Sequence, residues 1–226
     1  MRTDTAVLAP SMTYSFFTVD ESVRERAQPS LVTSTAIGVF RTDPRTLMER
    51  YFDIHLALSP WGTREVIIRL PRDSFSIPLA QEYGVEAWST GEHTLVAFRT
   101  DFARTPKGKA DFPLSRLVSV RADLAAGDRR ALYLGWLALL GSPDHYGPEE
   151  LPELELDMEP PVPAGLGALH PGLTMLAEIL CVDPRLLRAA AVTRPVRAGA
   201  PRRSAAALLR AASTDTDTDT GRREAV

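Results

Sequence analysis

TDPRTLMERYFDIHLALSPWGTREVIIRL, residues 42–70, decides how the rest of the chain is read. Asp43 offers a carboxylate as a helix cap, and Pro44 sits at the first helical position, where its missing N–H costs nothing. At 100° per residue, Leu47, Met48, Tyr51, Phe52, Ile54, His55, Leu56 and Leu58 fill one broad arc. Glu49, Arg50, Asp53 and Ala57 lie opposite. The spacing predicts a helix running to Leu58 and buried over most of its circumference. Ser59-Pro60-Trp61-Gly62 then stops it, since Pro60 restricts Ser59 and Gly62 tolerates positive φ. A strand follows, with Val66, Ile68 and Leu70 on one face and Glu65, Ile67 and Arg69 on the other.

Working outward, residues 1–11 read as a disordered leader, with Met12 as an alternative start. Tyr14, Phe16, Phe17 and Val19 mark a first strand, residues 35–40 a second and residues 93–99 another. If the strands flanking the helix pair in parallel, their crossover is right-handed. A short helical piece follows Pro78. Beyond the polar loop 101–113 the chain turns helical. Leu114, Leu117, Val118, Arg121 and Leu124 fit one amphipathic helix, ended by Gly127. Asp128 opens the next, which has hardly any polar face. Residues 142–163 carry seven acids, six prolines and no Lys or Arg, as a solvated connector does. Two more helices are expected at 173–181 and, behind an Asp183-Pro184 cap, up to Val192. Residues 196–226, Ala/Arg-rich and ending in TDTDTDTGRREAV, read as a disordered tail whose deletion leaves the fold intact.

Composition excludes more than it selects. With 24% charged residues, a net charge of −3 and 44% apolar residues, the chain is ordinary for a globular protein. That charge gives no overall hold on nucleic acid or an anionic membrane. The stretch from Arg185 to Val226 has nine arginines against four acids, but no interleaved aromatics, so nucleic acid is not an expected partner. No apolar run approaches the ~20 residues that span a bilayer, and no membrane association is expected. One cysteine, Cys181, cannot form an internal disulfide, which makes the cytoplasm the default compartment.

Motifs that carry chemistry are missing: no Walker-type loop, GxGxxG, HExxH, GxSxG or Cys/His zinc spacing occurs. His55, His93, His145 and His170 show no close pairing, and neither a metal site nor a cofactor is expected. The pocket candidates are His55, Tyr51 and Trp61. His55 lies mid-arc on the predicted helix, either as a desolvated base or as a core imidazole bonded to a carbonyl or hydroxyl. Asp53 falls on the opposite face and cannot reach it. Trp61 either floors a pocket or closes the core edge.

The segments LMERYFDIHLALSPWGTREVIIRLP, VRADLAAGDRRALYLGWLALL, EPPVPAGLGAL and VDPRLLRAAA, with the aromatic strand at 13–20, resemble blocks of an uncharacterised family of bacterial hypothetical proteins. The resemblance spans roughly residues 12–195. It implies no catalytic residue and no cofactor. The short stretch before residue 42 and residues 142–157 depart from the family pattern.

The expectation is an α+β fold: about four strands packed on a buried central helix, then a helical C-terminal half, in a single domain over 12–195. Function is expected to be non-enzymatic, through contact with another protein in the cytoplasm. The competing readings are a small-molecule enzyme with a pocket near His55 and Trp61 and, third, a nucleic-acid accessory protein using the Arg-rich tail. An enzyme would show a cavity at His55 with a second polar side chain entering it. A partner-binding protein would show an apolar patch on the C-terminal helices.

Overall fold

The computed structural model describes residues 13–19, 33–34, 43–59, 62–101, 112–141, 158–192 and 202–220. The leader, the expected strand at 35–40, Trp61 and the acidic stretch 142–157 lie outside these residues. The fold is α+β. Strands β1 (Thr13–Phe17), β2 (Thr33–Ser34), β3 (Ile54–Leu58), β4 (Arg64–Pro71), β5 (Glu86–Thr90) and β6 (His93–Thr100) form one sheet in the order β2-β1-β3-β4-β6-β5. Every pairing is antiparallel, so no parallel crossover arises between the described strands. Helices α1 (Pro44–Arg50), α2 (Ile77–Glu82), α3 (Leu117–Ala125), α4 (Arg130–Leu140), α5 (Pro171–Ile179), α6 (Pro184–Ala191) and α7 (Ala205–Thr220) complete it.

The long helix expected over 43–58 is two elements. Asp43 and Pro44 start α1 as anticipated, the Asp43 carboxylate accepting from Arg45 N–H at 3.0 Å. The helix ends at Arg50, with the Tyr51 N–H closing it on the Leu47 carbonyl. Asp53 N–H then bonds Phe17 O and its own carbonyl takes Arg69 N–H, so the chain has already joined the sheet. Residues 54–58 are a central strand flanked by β1 and β4 and covered on both faces. A strand buried on both faces shows no polar alternation, and its apolar run also fits a helical wheel. Between the antiparallel β3 and β4, Ser59 N–H bonds Thr63 O and Gly62 N–H bonds Ser59 O. The sheet has six strands, not about four, because β5 and the two-residue β2 carry no run of alternation.

Alternation sorts the sheet's two faces. Ile54, Leu56, Val66, Ile68, Leu70, Val96 and Phe98 face the helical layer and share its core. The other face carries Phe16, Ile67, Leu95 and Ala97, and α1 covers it with Leu47 and Met48. The element buried nearly all round is therefore α4, with nine of its eleven residues buried, and not the helix at residue 43.

Helices α3 and α5 meet unusually closely at Gly172. An added Cβ there would overlap Ser119 Oγ and lie 2.6 Å from the Arg116 carbonyl oxygen. Helix propensity alone makes Gly→Ala favourable by about 1 kcal/mol. Here a backbone oxygen cannot step aside, and overpacking costs about 1–3 kcal/mol or more. Gly172→Ala should therefore lower stability in denaturant unfolding; a gain would mean the two helices separate freely.

The C-terminal expectation is also corrected. Residues 202–213 belong to the fold: Ala205, Leu208 and Ala212 are buried in the main core, and Ser204 bridges Met158 in antiparallel fashion.

Candidate functional site

Helices α5 and α6 begin alike, each with a side-chain cap followed by proline. His170 Nδ1 accepts from Gly172 N–H at 3.1 Å and Asp183 accepts from Arg185 N–H at 2.8 Å. Between them the chain turns at Cys181, whose φ of 52° lies in the left-handed region normally taken by glycine. Val182 N–H returns to Ala177 O and Cys181 N–H to Glu178 O, which turns the chain out of α5 abruptly. At the sheet end of α5, the buried Arg64 guanidinium donates to Ile179 O at 3.2 Å and fixes the helix terminus.

This turn leaves an open groove of about 360 Å³ between the two helices. Leu166 and Leu169 line it from the preceding turn, Ala177 and Cys181 from the end of α5, Val182 and Leu187 from the start of α6. Glu178 and Thr174 are its polar members. Burial raises the Cys181 thiol pKa above its ordinary value, which keeps the thiol neutral. Chemically the groove can accept an apolar group; it brings no base, acid or cation cluster together.

The sequence-predicted site residues do not converge. His55 is fully buried on the α1 side of the sheet, stacked on Phe16 at 4.4 Å and near Tyr14 at 6.0 Å between ring centroids. Its Nδ1 lies 3.1 Å from Ser15 O, and Nε2 has no hydrogen-bond partner among the described residues. Burial, partly offset by the Ser15 bond, brings its pKa down to about 4. That is a core imidazole. Tyr51, expected in the buried arc, is 47% exposed because α1 has ended there. Trp61 lies outside the described residues.

Three polar clusters escaped the sequence reading. Asp53 is buried, its Oδ2 accepting from Thr18 Oγ1 and Val19 N–H while Oδ1 faces Arg69 at 3.3 Å and Arg121 at 3.6 Å. It ties together the ends of β1, β3 and β4. Register could have suggested the pair, since Asp53 falls opposite Arg69 once residues 54–58 are a strand.

Ser119, Asp123 and His170 have the residue types of a nucleophile, an acid and a base, but their wiring is structural. His170 Nδ1 already takes the Gly172 N–H, Ser119 Oγ donates to Arg116 O at 2.9 Å, and Nε2 meets Asp123 at 2.6 Å. A nitrogen whose lone pair caps a helix is not free to take the serine proton.

The third cluster is Glu159, expected in a solvated connector yet only 3% exposed. Arg203 grips it with two bonds, Nε–Oε2 at 2.8 Å and Nη2–Oε1 at 2.9 Å, and Tyr133 donates to Oε1. Burial first, and then Glu159, push the Tyr133 pKa far up, so its hydroxyl remains a donor. Beside it Arg202 meets Glu82 of α2 at 2.6 Å.

Among the described residues, no group of three or more His, Cys, Asp or Glu is placed to hold a metal ion, and no helix is long and apolar enough to cross a membrane. Comparison with protein-family models, with curated proteins and with solved structures finds no match to this chain.

Proposed function

We propose that this protein acts by binding another protein through the groove between α5 and α6. The observation that carries the reading is the groove itself, an apolar concavity of about 360 Å³ in which Glu178 is the one charged side chain among the described residues that line it. Such a surface suits an apolar side chain presented by a helix or extended segment of a partner. The enzyme reading loses its support at His55, which stacks on Phe16 and Tyr14 and whose Nε2 meets no hydrogen-bond partner among the described residues. The nucleic-acid reading weakens as well, because Arg202 and Arg203 are committed to Glu82 and Glu159. A bacterial cytoplasm is the setting we propose, from the family resemblance and the lone cysteine.

Cys181 is the chain's single cysteine and lines the groove, so a photo-crosslinker attached there reads its occupant directly. A discrete crosslinked species is expected from a bacterial lysate, absent for Leu169→Glu at an unchanged melting temperature. Equal crosslinking by the parent and Leu169→Glu would rule the groove out.

A further inference from the structure

Helix α6 stands between two surfaces. One side, through Pro184 and Leu187, walls the groove. The other carries α7, which touches α6 far more than any other element does. Whatever holds α7 therefore holds the groove's wall.

The hold itself is narrow. Among residues 202–213 Ala205, Leu208 and Ala212 are buried, and Leu209 packs partly buried against the same core. Ordering a dozen residues costs more conformational entropy than that little apolar contact offsets. A polar grip lies at the segment's beginning: Arg203 on Glu159, the Ser204 bridge to Met158, and Arg202 on Glu82. Of these, the Glu159 contact is the buried one, and the guanidinium fork matches the carboxylate with two bonds. An attachment of this kind has two states. With the fork engaged the carboxylate is satisfied; without it, Glu159 must reach water and the segment lifts.

We infer that residues 202–212 form a strap latched by Arg203 on Glu159, and that lifting the strap loosens the α6 wall of the groove. The inference rests on the groove reading for what is regulated, while the latch stands on its own geometry. The strap opens below the global unfolding threshold, as a separate cooperative unit.

Hydrogen–deuterium exchange on the full chain tests this. Amides of residues 205–212 are expected to exchange at least tenfold faster than those of α4. Arg203→Ala should speed exchange a further tenfold or more in 205–212 and in α6, leaving β3, β4 and α3 unchanged. Arg203→Lys, which keeps the charge and loses the fork, should fall between. Maleimide labelling of Cys181 should quicken several-fold in Arg203→Ala. Strap amides as slow as those of α4, or an Arg203→Ala effect spread evenly over all elements, would overturn the latch. Unchanged Cys181 labelling with a lifted strap would overturn its coupling to the groove. Failure of the crosslinking experiment, with these exchange results in place, would count against the groove reading alone.

Discussion

Removing residues 202–226 should lower stability by about 3–5 kcal/mol, because breaking a buried ion pair by deleting one partner leaves an uncompensated charge. Glu159 is that charge: it is 3% exposed, and Arg203 supplies its cation. Loss of the Leu208 contact adds roughly 1.5–3 kcal/mol, while the backbone entropy returned by the freed segment is set against the loss of its helical hydrogen bonds and remaining contacts. The ion pair therefore decides the net effect. For a chain of this length the change corresponds to a fall of about 6–20 °C in melting temperature. The truncated protein should still unfold cooperatively, since the sheet and α3–α5 keep their core. Glu159→Gln in the truncated chain should recover part of the loss, because a neutral amide is cheaper to leave unpaired than a carboxylate. A melt unchanged by truncation would mean that the strap contributes nothing to the folded state.

His55→Ala should cost about 2–5 kcal/mol, as large-to-small changes in a filled core do. His55→Phe should cost much less. It keeps a ring against Phe16 and Tyr14, forgoes one bond to Ser15 O and removes the buried, unpartnered Nε2. Protonation gives the site a second signature. Burial lowers the folded pKa to about 4 from an ordinary value of 6.5. Between those values the unfolded chain binds a proton that the folded chain refuses, so stability rises with pH. The contribution is complete above pH 6.5 and is lost as pH falls toward 4, roughly 1.4 kcal/mol per unit and about 3 kcal/mol in all. Urea unfolding of parent and His55→Phe at several pH values measures it, and the variant should lack this slope. A catalytic His55 would behave otherwise, with replacement leaving stability unchanged or raised.

What the sequence made legible follows from how local each signal is. The Asp43-Pro44 and Asp183-Pro184 starts, the Gly127 stop and the all-apolar face of α4 are decided within a few residues, and the structure has them where they were expected. Residues 54–58 failed because a strand's environment is set by its neighbours. IHLAL has no β-branched residue beyond Ile54, and burial on both faces overrides its local preference. Tyr51 was lost with it as a pocket candidate, and so was the meaning of Asp53, which a helical wheel turns away from the residues it actually meets. Glu159 and Arg203 lie 44 residues apart, the first at the end of a proline-broken acidic stretch and the second in an Ala/Arg-rich one. Composition assigned both to solvent, since charge runs usually are solvated, and no local pattern marks the one acid that a distant arginine draws into the core. The groove was legible only as two helices in succession; its opening depends on the left-handed turn at Cys181, a conformation that residue type argues against.

The Glu159–Arg203 pair also bears on how the chain is made. At about 5–20 residues per second, the ribosome adds the 44 residues from Glu159 to Arg203 in roughly 2–9 s. During that interval β1 to β6, α3 and α4 already exist as chain, and the hairpins of the sheet need nothing made later. The carboxylate of Glu159 has no cation yet, so burying it early is unfavourable and the helical layer stays open around Tyr133. Closure waits for Arg203 to arrive. A chain released before residue 203 is thus left with its own charge against its core and a lower stability than one that carries Arg203.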